Sequence, residues 1–183
     1  MTPLLRFESV TLRRGGRILF ENMDLDLGPG EALQVIGPNG AGKSSLLRLA
    51  AGLLRAERGR VSAARLALAD DHPALDRERT LRDALRFWSL EPDSAMDALG
   101  LASLATVPVR LLSSGQRKRA ALARVVASGA PLWLLDEPFN ALDAESAQRL
   151  ARAVEAHREA GGAVLAASHQ EMPGEWRMLE LGA

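Results

Sequence analysis

The stretch Gly37-Pro38-Asn39-Gly40-Ala41-Gly42-Lys43-Ser44 matches the pattern G-x-x-x-x-G-K-[ST]. It follows a short apolar segment, residues 32–36, that predicts a strand, and it leads into residues 43–51, whose apolar face predicts a helix. Glycines allow the backbone to curl so that successive N–H groups face an anion, and the helix N-terminus adds the positive end of its dipole. We therefore predict a phosphate-binding loop, in which Lys43 reaches the β- and γ-phosphates of a nucleotide and the Ser44 hydroxyl binds Mg²⁺.

Lysine is rare in this chain, which makes its place in the loop informative. Of the 23 basic residues only Lys43 and Lys118 are lysine, and all the others are arginine. A lysine supplies a compact ammonium where an arginine would supply a planar fork. The choice of lysine at position 43 therefore supports a phosphate-binding role for the loop.

Composition excludes several other classes of function. The 23 basic and 23 acidic residues cancel, and aromatic residues make up only 4% of the chain, so we expect no nucleic-acid partner. Without cysteine, the chain has no disulfide, no thiolate metal site and no cysteine nucleophile. No apolar run reaches the roughly 18 to 20 residues of a membrane-spanning helix, and no secretory signal is recognisable. We expect a cytosolic protein that does not insert into a membrane and reaches one only through a partner.

The hydrophobic pattern alternates between strands and helices, which predicts an α/β fold with a largely parallel sheet covered on both faces. At 183 residues, we expect a single domain over residues 1–183, with a small helical insertion at residues 73–111. The predicted strands are residues 4–12, 18–27, 32–36, 66–69, 132–135 and 163–167, with another near Val61. The predicted helices outside the insertion are residues 43–51, 116–127 and 144–160, and a short tail containing Trp176 follows the last strand.

Two acidic residues, Asp136 and Glu137, follow the apolar strand at residues 132–135. Side chains at the carboxyl end of a parallel strand reach the crevice in which ligands bind. Asp136 suits the coordination of Mg²⁺, and Glu137 suits the orientation or deprotonation of the attacking water. Such a pair is usually a solvated turn when it stands alone, but downstream of a phosphate loop the functional interpretation is favoured.

Two further motifs leave alternatives open. The serines of Ser113-Ser114-Gly115-Gln116 precede a predicted helix, where they offer donors to a ligand or simply cap the helix. His169 follows the last apolar strand, where it either hydrogen-bonds a γ-phosphate or has a structural role. Phe87, Trp88 and Trp133 are interpreted as core or partner-facing, with core packing favoured for Leu85 and Trp88. Arg117-Lys118-Arg119 is interpreted as a solvated helix face.

Taken together, the motifs occur in the order typical of ABC transporter ATPase subunits, and the chain resembles that family over nearly its whole length. The motifs are the phosphate loop, Leu112-Ser113-Ser114-Gly115-Gln116, Asp136-Glu137, Asn140-Ala141-Leu142-Asp143 and His169. Within the family, residues 80–88, 130–139 and 168–170 are similar to the corresponding stretches of the cytochrome c biogenesis ATPases, the ATP-binding subunits of haem exporters.

The resemblance implies an α/β fold of the P-loop NTPase type, with a mostly parallel central sheet, an N-terminal antiparallel β portion and a small helical insertion. It implies an ATPase that uses ATP and Mg²⁺ and forms a homodimer on a pair of transmembrane permease subunits. The subunit would be peripheral at the cytoplasmic face of the inner membrane, with haem as the proposed cargo. Two such domains would sandwich two ATP molecules head to tail.

The same resemblance implies a role for each motif residue. Nucleotide contacts would come from Gly37, Pro38, Asn39, Gly40, Ala41, Gly42, Lys43, Ser44, Ser45 and Arg14. The nucleotide of the opposite protomer would be contacted by Ser113, Ser114, Gly115, Gln116 and Asp143. The catalytic residues would be Glu137, His169, Lys43 and His72, and the Mg²⁺ ligands Ser44 and Asp136.

The chain departs from the family pattern at a few positions. His72 stands where a glutamine is usual, Arg13 or Arg14 where an aromatic residue often stacks on adenine, Asn140 where serine is common and Ser114 where glycine is common. Two alternatives therefore stand beside the transporter subunit. One is a soluble ABC-type ATPase of DNA repair or translation, although a single motif set and a short insertion argue against it. The other is a weakly hydrolysing nucleotide-binding module, which rests on His72.

Overall fold

The computed structural model describes residues 2–70, 72 and 74–182. In chain order the strands are β1 (Leu5–Arg14), β2 (Arg17–Leu27), β3 (Ala32–Ile36), β4 (Arg58–Ala63), β5 (Leu66–Ala69), β6 (Leu132–Asp136), β7 (Ala163–Ala167) and β8 (Arg177–Glu180). The helices are α1 (Lys43–Ala50), α2 (Leu81–Arg86), α3 (Asp93–Ala98), α4 (Ser114–Ala127) and α5 (Ala144–Glu159), with short 3₁₀ helices at Ala102–Leu104 and Val109–Leu111.

The strands form two sheets, as the family resemblance implies. Three N-terminal strands pair antiparallel in the order β2-β1-β4, and the turn between β1 and β2 contains Gly15 and Gly16, both with positive φ. Five strands pair in parallel in the order β5-β6-β7-β3-β8. The predicted fold class, a mostly parallel central sheet with an antiparallel N-terminal portion, is confirmed.

The order of the parallel strands brings the predicted site residues to one edge of the sheet. The phosphate loop follows β3, His169 follows β7 and Asp136 ends β6. Because β7 lies between β3 and β6, the two outer strands are separated by two strand spacings, or about 10 Å. A nucleotide phosphate chain and a metal ion fit within that distance.

Both faces of the parallel sheet are buried, each in its own cluster. Leu132 and Leu134 of β6 pack with α1 and the antiparallel sheet, whereas Trp133 and Leu135 pack with α4, α5 and the predicted insertion. Trp133 is 4% exposed and stacks on His157 of α5 at 3.8 Å between ring centroids. Burial lowers the pKa of His157, so the stacked ring stays neutral near neutral pH.

The insertion predicted at residues 73–111 contains α2, α3 and both 3₁₀ helices in the part that the structure describes. Pro73 lies outside the described residues, as does Asp71. Whether this stretch behaves as a separate subdomain within one domain of residues 1–183 stays a prediction. Across residues 2–70, 72 and 74–182, no helix combines the length and apolarity needed to cross a membrane.

The hydrophobic pattern does not predict β8, because it places residues 177–180 in a tail. Among the described residues this edge strand pairs with β3 alone, and three of its four residues are exposed. An edge strand with one neighbour needs no apolar alternation, so the hydrophobic pattern gave no signal for it. Where the ends of the other predicted strands and helices differ from those in the structure, they differ by one to three residues. For example, α4 begins at Ser114 and not at residue 116.

Candidate nucleotide-binding site

The predicted phosphate loop is curled in the way that its glycines allow. Gly37, Gly40 and Gly42 have φ values of 140°, 83° and 107°, a region that residues with a side chain rarely adopt. Gly37 is also constrained from outside the loop, because a Cβ there would lie 2.3 Å from the carbonyl oxygen of Leu181, just after β8. The loop is therefore fixed by its own conformation and by the end of β8.

The first turn of α1 presents its positive end to the loop. Its N-cap is Gly42, no side chain caps it by a hydrogen bond, and its first turn contains no acidic residue. Backbone N–H groups at such an end have no partner within the helix, and the helix dipole favours a negative ligand there. This arrangement suits a phosphate group.

Lys43 holds its ammonium over the loop. The side chain is buried, and Nζ donates hydrogen bonds to the carbonyl oxygens of Gly37 at 2.8 Å and Pro38 at 3.2 Å. A cavity of about 460 Å³ opens beside it. The residues that line this cavity are Arg14, Gly15, Leu19, Asn39, Gly40, Gly42, Lys43, Ser44, Ser45 and Glu137.

The structure distinguishes the two arginines that were candidates for contact with the base. Arg13 donates to the carboxylate of Glu57 at 2.9 Å and to the carbonyl oxygen of Gly16 at 3.2 Å. Arg14 instead lines the cavity and donates to the Ser45 hydroxyl at 3.3 Å. Of the two, Arg14 is therefore the candidate for contact with a nucleotide, and both that contact and stacking on adenine stay predictions.

Glu137 adopts an unusual backbone conformation at the end of β6. Its φ is +46°, in the left-handed region, which costs a residue with a side chain on the order of 1 kcal/mol. Its backbone N–H donates to the carbonyl oxygen of Ala167 at 2.8 Å, so the bend is tied to β7. The bend turns the side chain of Glu137 into the cavity that the phosphate loop lines.

The two carboxylate oxygens of Glu137 have different surroundings. Oε1 lies 3.0 Å from Nδ1 of His169, whereas Oε2 is buried without a hydrogen-bond partner in the part of the chain that the structure describes. A buried carboxylate oxygen without a partner favours a donor such as water. The sequence left open whether His169 bonds a γ-phosphate or has a structural role, and the structure adds a contact between His169 and Glu137.

The residues proposed for Mg²⁺ fit that ion. Ser44 lines the cavity and Asp136 is half-buried at the end of β6, which gives one hydroxyl and one carboxylate. The described residues contain no group of three or more His, Cys, Asp or Glu that could hold a metal. Mg²⁺ at a nucleotide site usually takes one or two protein ligands and completes its shell with phosphate oxygens and water.

His72 lies apart from that cavity. Its side chain is 86% exposed, and its backbone N–H donates to Asp70 at 2.9 Å. It lines a different cavity together with Trp88 and Arg124. A catalytic role for His72 stays a prediction, and in this conformation the side chain does not line the cavity that contains Glu137.

The second predicted phosphate-facing helix end, that of α4, has the opposite character to α1. Ser113 and Gln116 form a capping box, with each side chain accepting from the backbone N–H of the other. Ser113 and Ser114 are exposed, and none of residues 113–116 lines the 460 Å³ cavity. The N-terminus of α4 is therefore an exposed surface, separate from the phosphate loop of its own chain.

Asp143 lies near the same surface, as the N-cap of α5. It accepts a hydrogen bond from the backbone N–H of Ser146 at 2.7 Å. Hydrogen bonds from Ser146, with a smaller contribution from the positive charge of Arg119, lower the pKa of Asp143. The loop before it packs on α4, since a Cβ on Gly115 would lie 3.9 Å from the carbonyl oxygen of Ala141.

The prediction that Arg117-Lys118-Arg119 is a solvated helix face is wrong. All three are half-buried and donate to main-chain carbonyl oxygens. Arg117 donates to Leu112, Lys118 to Asp136 at 3.2 Å, and Arg119 to Gly100 at 3.2 Å. Charged side chains with long stems can reach back to buried carbonyls, which a charge run in a sequence does not reveal.

The large apolar residues of the predicted insertion divide between core and surface. Leu85 is fully buried, whereas Phe87 is 82% exposed and Trp88 is 37% exposed. The guanidinium of Arg124 lies 4.8 Å from the centre of a Trp88 ring and donates to the carbonyl oxygen of Leu68. Burial lowers the pKa of Arg124. The preference for core packing is thus confirmed for Leu85, and Trp88 lies at the boundary.

Known proteins are similar to this chain in sequence and in fold. The ABC transporter family model matches residues 20–140. The cytochrome c biogenesis ATP-binding export protein CcmA of Sphingopyxis alaskensis is 55% identical over 92% of this chain and 91% of its own length. The protein of the same name from Novosphingobium aromaticivorans is 54% identical over 89% of this chain and 87% of its own length.

A solved structure described as the ATP binding subunit of an ABC transporter superposes with a TM-score of 0.84 at 22% identity. It covers 91% of this chain, and the superposed part is 79% of that structure, so the fold is shared. The family model spans more than half of the chain, and the two relatives align along nearly all of it. The chain belongs to the ABC transporter family, in the group of cytochrome c biogenesis ATP-binding export proteins.

Proposed function

We propose that this chain is the ATP-hydrolysing subunit of a membrane complex for cytochrome c biogenesis, with haem as the cargo. ATP binding and hydrolysis follow from membership of the ABC transporter family. The biogenesis role is supported by relatives of that name at 54% and 55% identity. Those names describe export proteins, so a soluble ATPase of DNA repair or translation is not favoured.

The observation that carries the proposed mechanism is the environment of Glu137. One carboxylate oxygen is 3.0 Å from His169, and the other is buried in the described structure with no partner. With Lys43 and the α1 N-terminus holding the phosphates, that free oxygen accepts a hydrogen bond from the attacking water. His169 orients the carboxylate, and Mg²⁺ held by Ser44 and Asp136 would neutralise charge on the phosphate oxygens.

The substitution Glu137→Gln tests this assignment. Glutamine keeps the shape but cannot take a proton from water, so we expect kcat to fall by about 10³-fold or more while ATP binding persists. Steady-state phosphate release and calorimetric ATP titration measure the two properties. Glu159→Gln, at the end of α5, is the matched control and should leave both unchanged. Full turnover by Glu137→Gln would refute Glu137 as the base.

We further propose that two copies of the chain form a head-to-tail dimer. The phosphate loop in one protomer would face Ser113, Ser114, Gly115, Gln116 and Asp143 in the other. This is supported by the exposure of the α4 N-terminus and by its absence from the lining of the 460 Å³ cavity. A single nucleotide would then lie between two helix N-termini from different chains.

A mixing experiment tests the dimer. Lys43→Ala disables the phosphate loop, and Ser114→Arg blocks the α4 surface. Each variant alone should be inactive, because every site contains one damaged half. In a mixed dimer, the intact phosphate loop of the Ser114→Arg chain faces the intact α4 of the Lys43→Ala chain. One of the two sites per mixed dimer should therefore recover activity. A mixture as inactive as its components would exclude head-to-tail pairing.

The proposed membrane partners are a pair of transmembrane permease subunits, with this subunit peripheral at the cytoplasmic face of the inner membrane. Large exposed apolar side chains support a docking surface, since Phe87 and Leu90 are 82% and 94% exposed. Phe87→Ser should weaken co-purification with the permease while basal ATPase activity is retained. Leu53→Ser, an exposed leucine outside the predicted insertion, is the control.

The weakly hydrolysing module is a second candidate, because the His72 side chain is 86% exposed and lines a cavity other than that of Glu137. His72→Gln would restore the residue that is usual in the family. A large rise in kcat would favour the weak-hydrolysis candidate, whereas an unchanged kcat would favour an active subunit that does not depend on this position.

A further inference from the structure

The peptide group between Asp136 and Glu137 is held at both of its polar ends. On one side, the N–H of Glu137 donates to the carbonyl oxygen of Ala167 in β7 at 2.8 Å. This peptide bond is trans, so the carbonyl of Asp136 points the opposite way, toward the β5 side of β6. The last residue pair between β5 and β6 is Ala69 with Leu135, so the carbonyl lies just beyond that ladder.

Lys118 supplies a hydrogen-bond donor to this carbonyl. Its ammonium nitrogen, Nζ, donates to the carbonyl oxygen of Asp136 at 3.2 Å. Lys118 lies in α4, about one turn after Ser114, and its side chain is half-buried. It is one of only two lysines in an arginine-rich chain, and the other is Lys43. A flexible stem with a compact ammonium suits a single carbonyl better than a planar fork does.

The orientation of this peptide group determines where the carboxylate of Glu137 points. Glu137 has a φ of +46°, which a residue with a side chain keeps only when its surroundings enforce it. Rotation of the peptide group would release Glu137 toward the extended conformation and move its carboxylate relative to His169. The bond to Lys118 opposes that rotation from one side, as the bond to Ala167 does from the other.

We infer that Lys118 is a positioning residue for hydrolysis, which fixes the Asp136–Glu137 peptide group and thereby aims the Glu137 carboxylate at the attacking water. The inference rests on the proposed function, in which Glu137 is the base. It also links two sites, because the N-terminus of α4 is proposed to contact the nucleotide of the opposite protomer. Engagement of that helix would be transmitted through Lys118 to the base of its own chain.

Substitution at position 118 tests the inference, because loss of a positioning residue should lower kcat and leave the KM for ATP nearly unchanged. Lys118→Met keeps most of the stem and removes the donor, so we expect kcat to fall by about tenfold from misplacement of the base. The KM for ATP, and the Kd by calorimetry, should stay within about twofold, because the phosphate loop is intact. Lys118→Arg keeps a cationic donor, so its kcat should be at least threefold higher than that of Lys118→Met.

The control uses an arginine that makes the same kind of contact at the other end of α4. Arg65 donates to the carbonyl oxygens of Ser128 and Gly129, at 2.8 and 2.6 Å. Arg65→Met should lower thermal stability and leave kcat unchanged. Lys118→Leu, which also removes the donor, is the second variant in case Lys118→Met does not fold, and the same fall in kcat is expected for it.

Two results would overturn the inference: a wild-type kcat in a folded Lys118→Met protein, or a loss confined to KM. The Glu137→Gln variant separates this failure from failure of the proposed function. If Glu137→Gln abolishes turnover and Lys118→Met does not reduce it, only the role of Lys118 is wrong. If Glu137→Gln retains turnover, the assignment of the base is itself wrong.

Discussion

The N-termini of α1 and α4 carry similar small polar residues but differ in how their backbone donors are used. At α1, Gly42 provides no side-chain cap and the first turn contains no acid, so the donors face the cavity beside Lys43. At α4, Ser113 and Gln116 cap each other, and the surface around them is exposed. The α1 end is uncapped beside the cavity, whereas at the α4 end the N–H of Gln116 already has a partner within its own chain.

This difference indicates a division of labour between the two ends. An uncapped helix end gains the full benefit of an anion, because its N–H groups have no competing partner. A capped end gains less from a ligand, since binding must compete with existing hydrogen bonds. In the proposed dimer, α1 would therefore supply most of the affinity for ATP, and α4 would sense whether a second chain has closed over it.

Removal of the ammonium at α1 should produce the largest effect. Lys43→Ala is expected to weaken ATP binding by about 100-fold, because the charge next to the phosphates is lost. Ser114→Arg, at the start of α4, should leave the ATP affinity of the separated chain within about twofold. Calorimetric titration of both variants measures this contrast.

Arg48→Ala is the matched control for Lys43→Ala, because it removes a positive charge from the last turn of the same helix. It should bind ATP as the wild type does. Equal losses of affinity in Lys43→Ala and Ser114→Arg would contradict the proposed difference between the two helix ends.

The glycines of the two ends should also differ in their effect on folding. Gly37→Ala places a Cβ 2.3 Å from the backbone oxygen of Leu181, at a φ of 140°, so we expect a loss of about 2–4 kcal/mol in the free energy of unfolding. In Gly115→Ala the added Cβ would lie 3.9 Å from its nearest neighbour, and alanine is favoured over glycine within a helix. The free energy of unfolding should therefore be unchanged or rise by up to about 1 kcal/mol. Urea denaturation measures both.

The rate of ATP hydrolysis by Gly115→Ala is the second measurement in the comparison of the two glycines. If Gly115→Ala folds as stably as the wild type but hydrolyses ATP more slowly, Gly115 is required for the approach of a ligand or partner. A stability loss in Gly115→Ala as large as that in Gly37→Ala would show that both glycines serve the fold, and the contrast would fail.

The cap at α4 should contribute a smaller amount. Ser113→Ala removes the acceptor for the N–H of Gln116, and loss of an N-cap costs about 1 kcal/mol. The free energy of unfolding from denaturant titration should fall by that amount. Ser103→Ala, which removes an exposed hydroxyl from a 3₁₀ helix, is the control. An unchanged stability in Ser113→Ala would mean that the capping box does not hold this helix end.

Features encoded by local sequence were predictable. The phosphate loop follows from eight consecutive residues, and the acidic pair Asp136-Glu137 follows directly from an apolar strand. The parallel sheet could be predicted because its strands are buried on both faces and therefore almost continuously apolar. These signals need no knowledge of which segments meet.

Features that depend on distant contacts could not be predicted. The approach of Leu181 to Gly37 requires β8, an edge strand with no apolar pattern. The bond from Lys118 to the carbonyl oxygen of Asp136 is hidden within a basic run that suggests a solvated face. The scarcity of lysine is the one feature of the sequence that singles out Lys118, and it does not reveal which carbonyl Lys118 contacts.

The smallest expected effect is a change in the pH dependence of stability on substitution of Asp143. This residue caps α5 beside the α4 surface, and unlike Ser113 it is a cap that can carry a charge. Hydrogen bonds from Ser146 lower the pKa of Asp143 in the folded chain. A carboxylate whose folded pKa is depressed stabilises the protein above its unfolded pKa, and that stabilisation is lost as the pH falls through the folded value. Asp143→Asn keeps a good N-cap but does not titrate, so its stability should fall less steeply than that of the wild type below about pH 4.

Thermal unfolding from pH 7 to pH 2.5 measures this difference, with Glu175→Gln as a control that removes an exposed carboxylate elsewhere. At pH 7 the Asp143→Asn protein should be slightly less stable than the wild type, because the ionised cap also interacts with the helix dipole and with Arg119. The two curves should converge in acid. Parallel curves over the whole range would mean that the charge of Asp143 does not hold the start of α5.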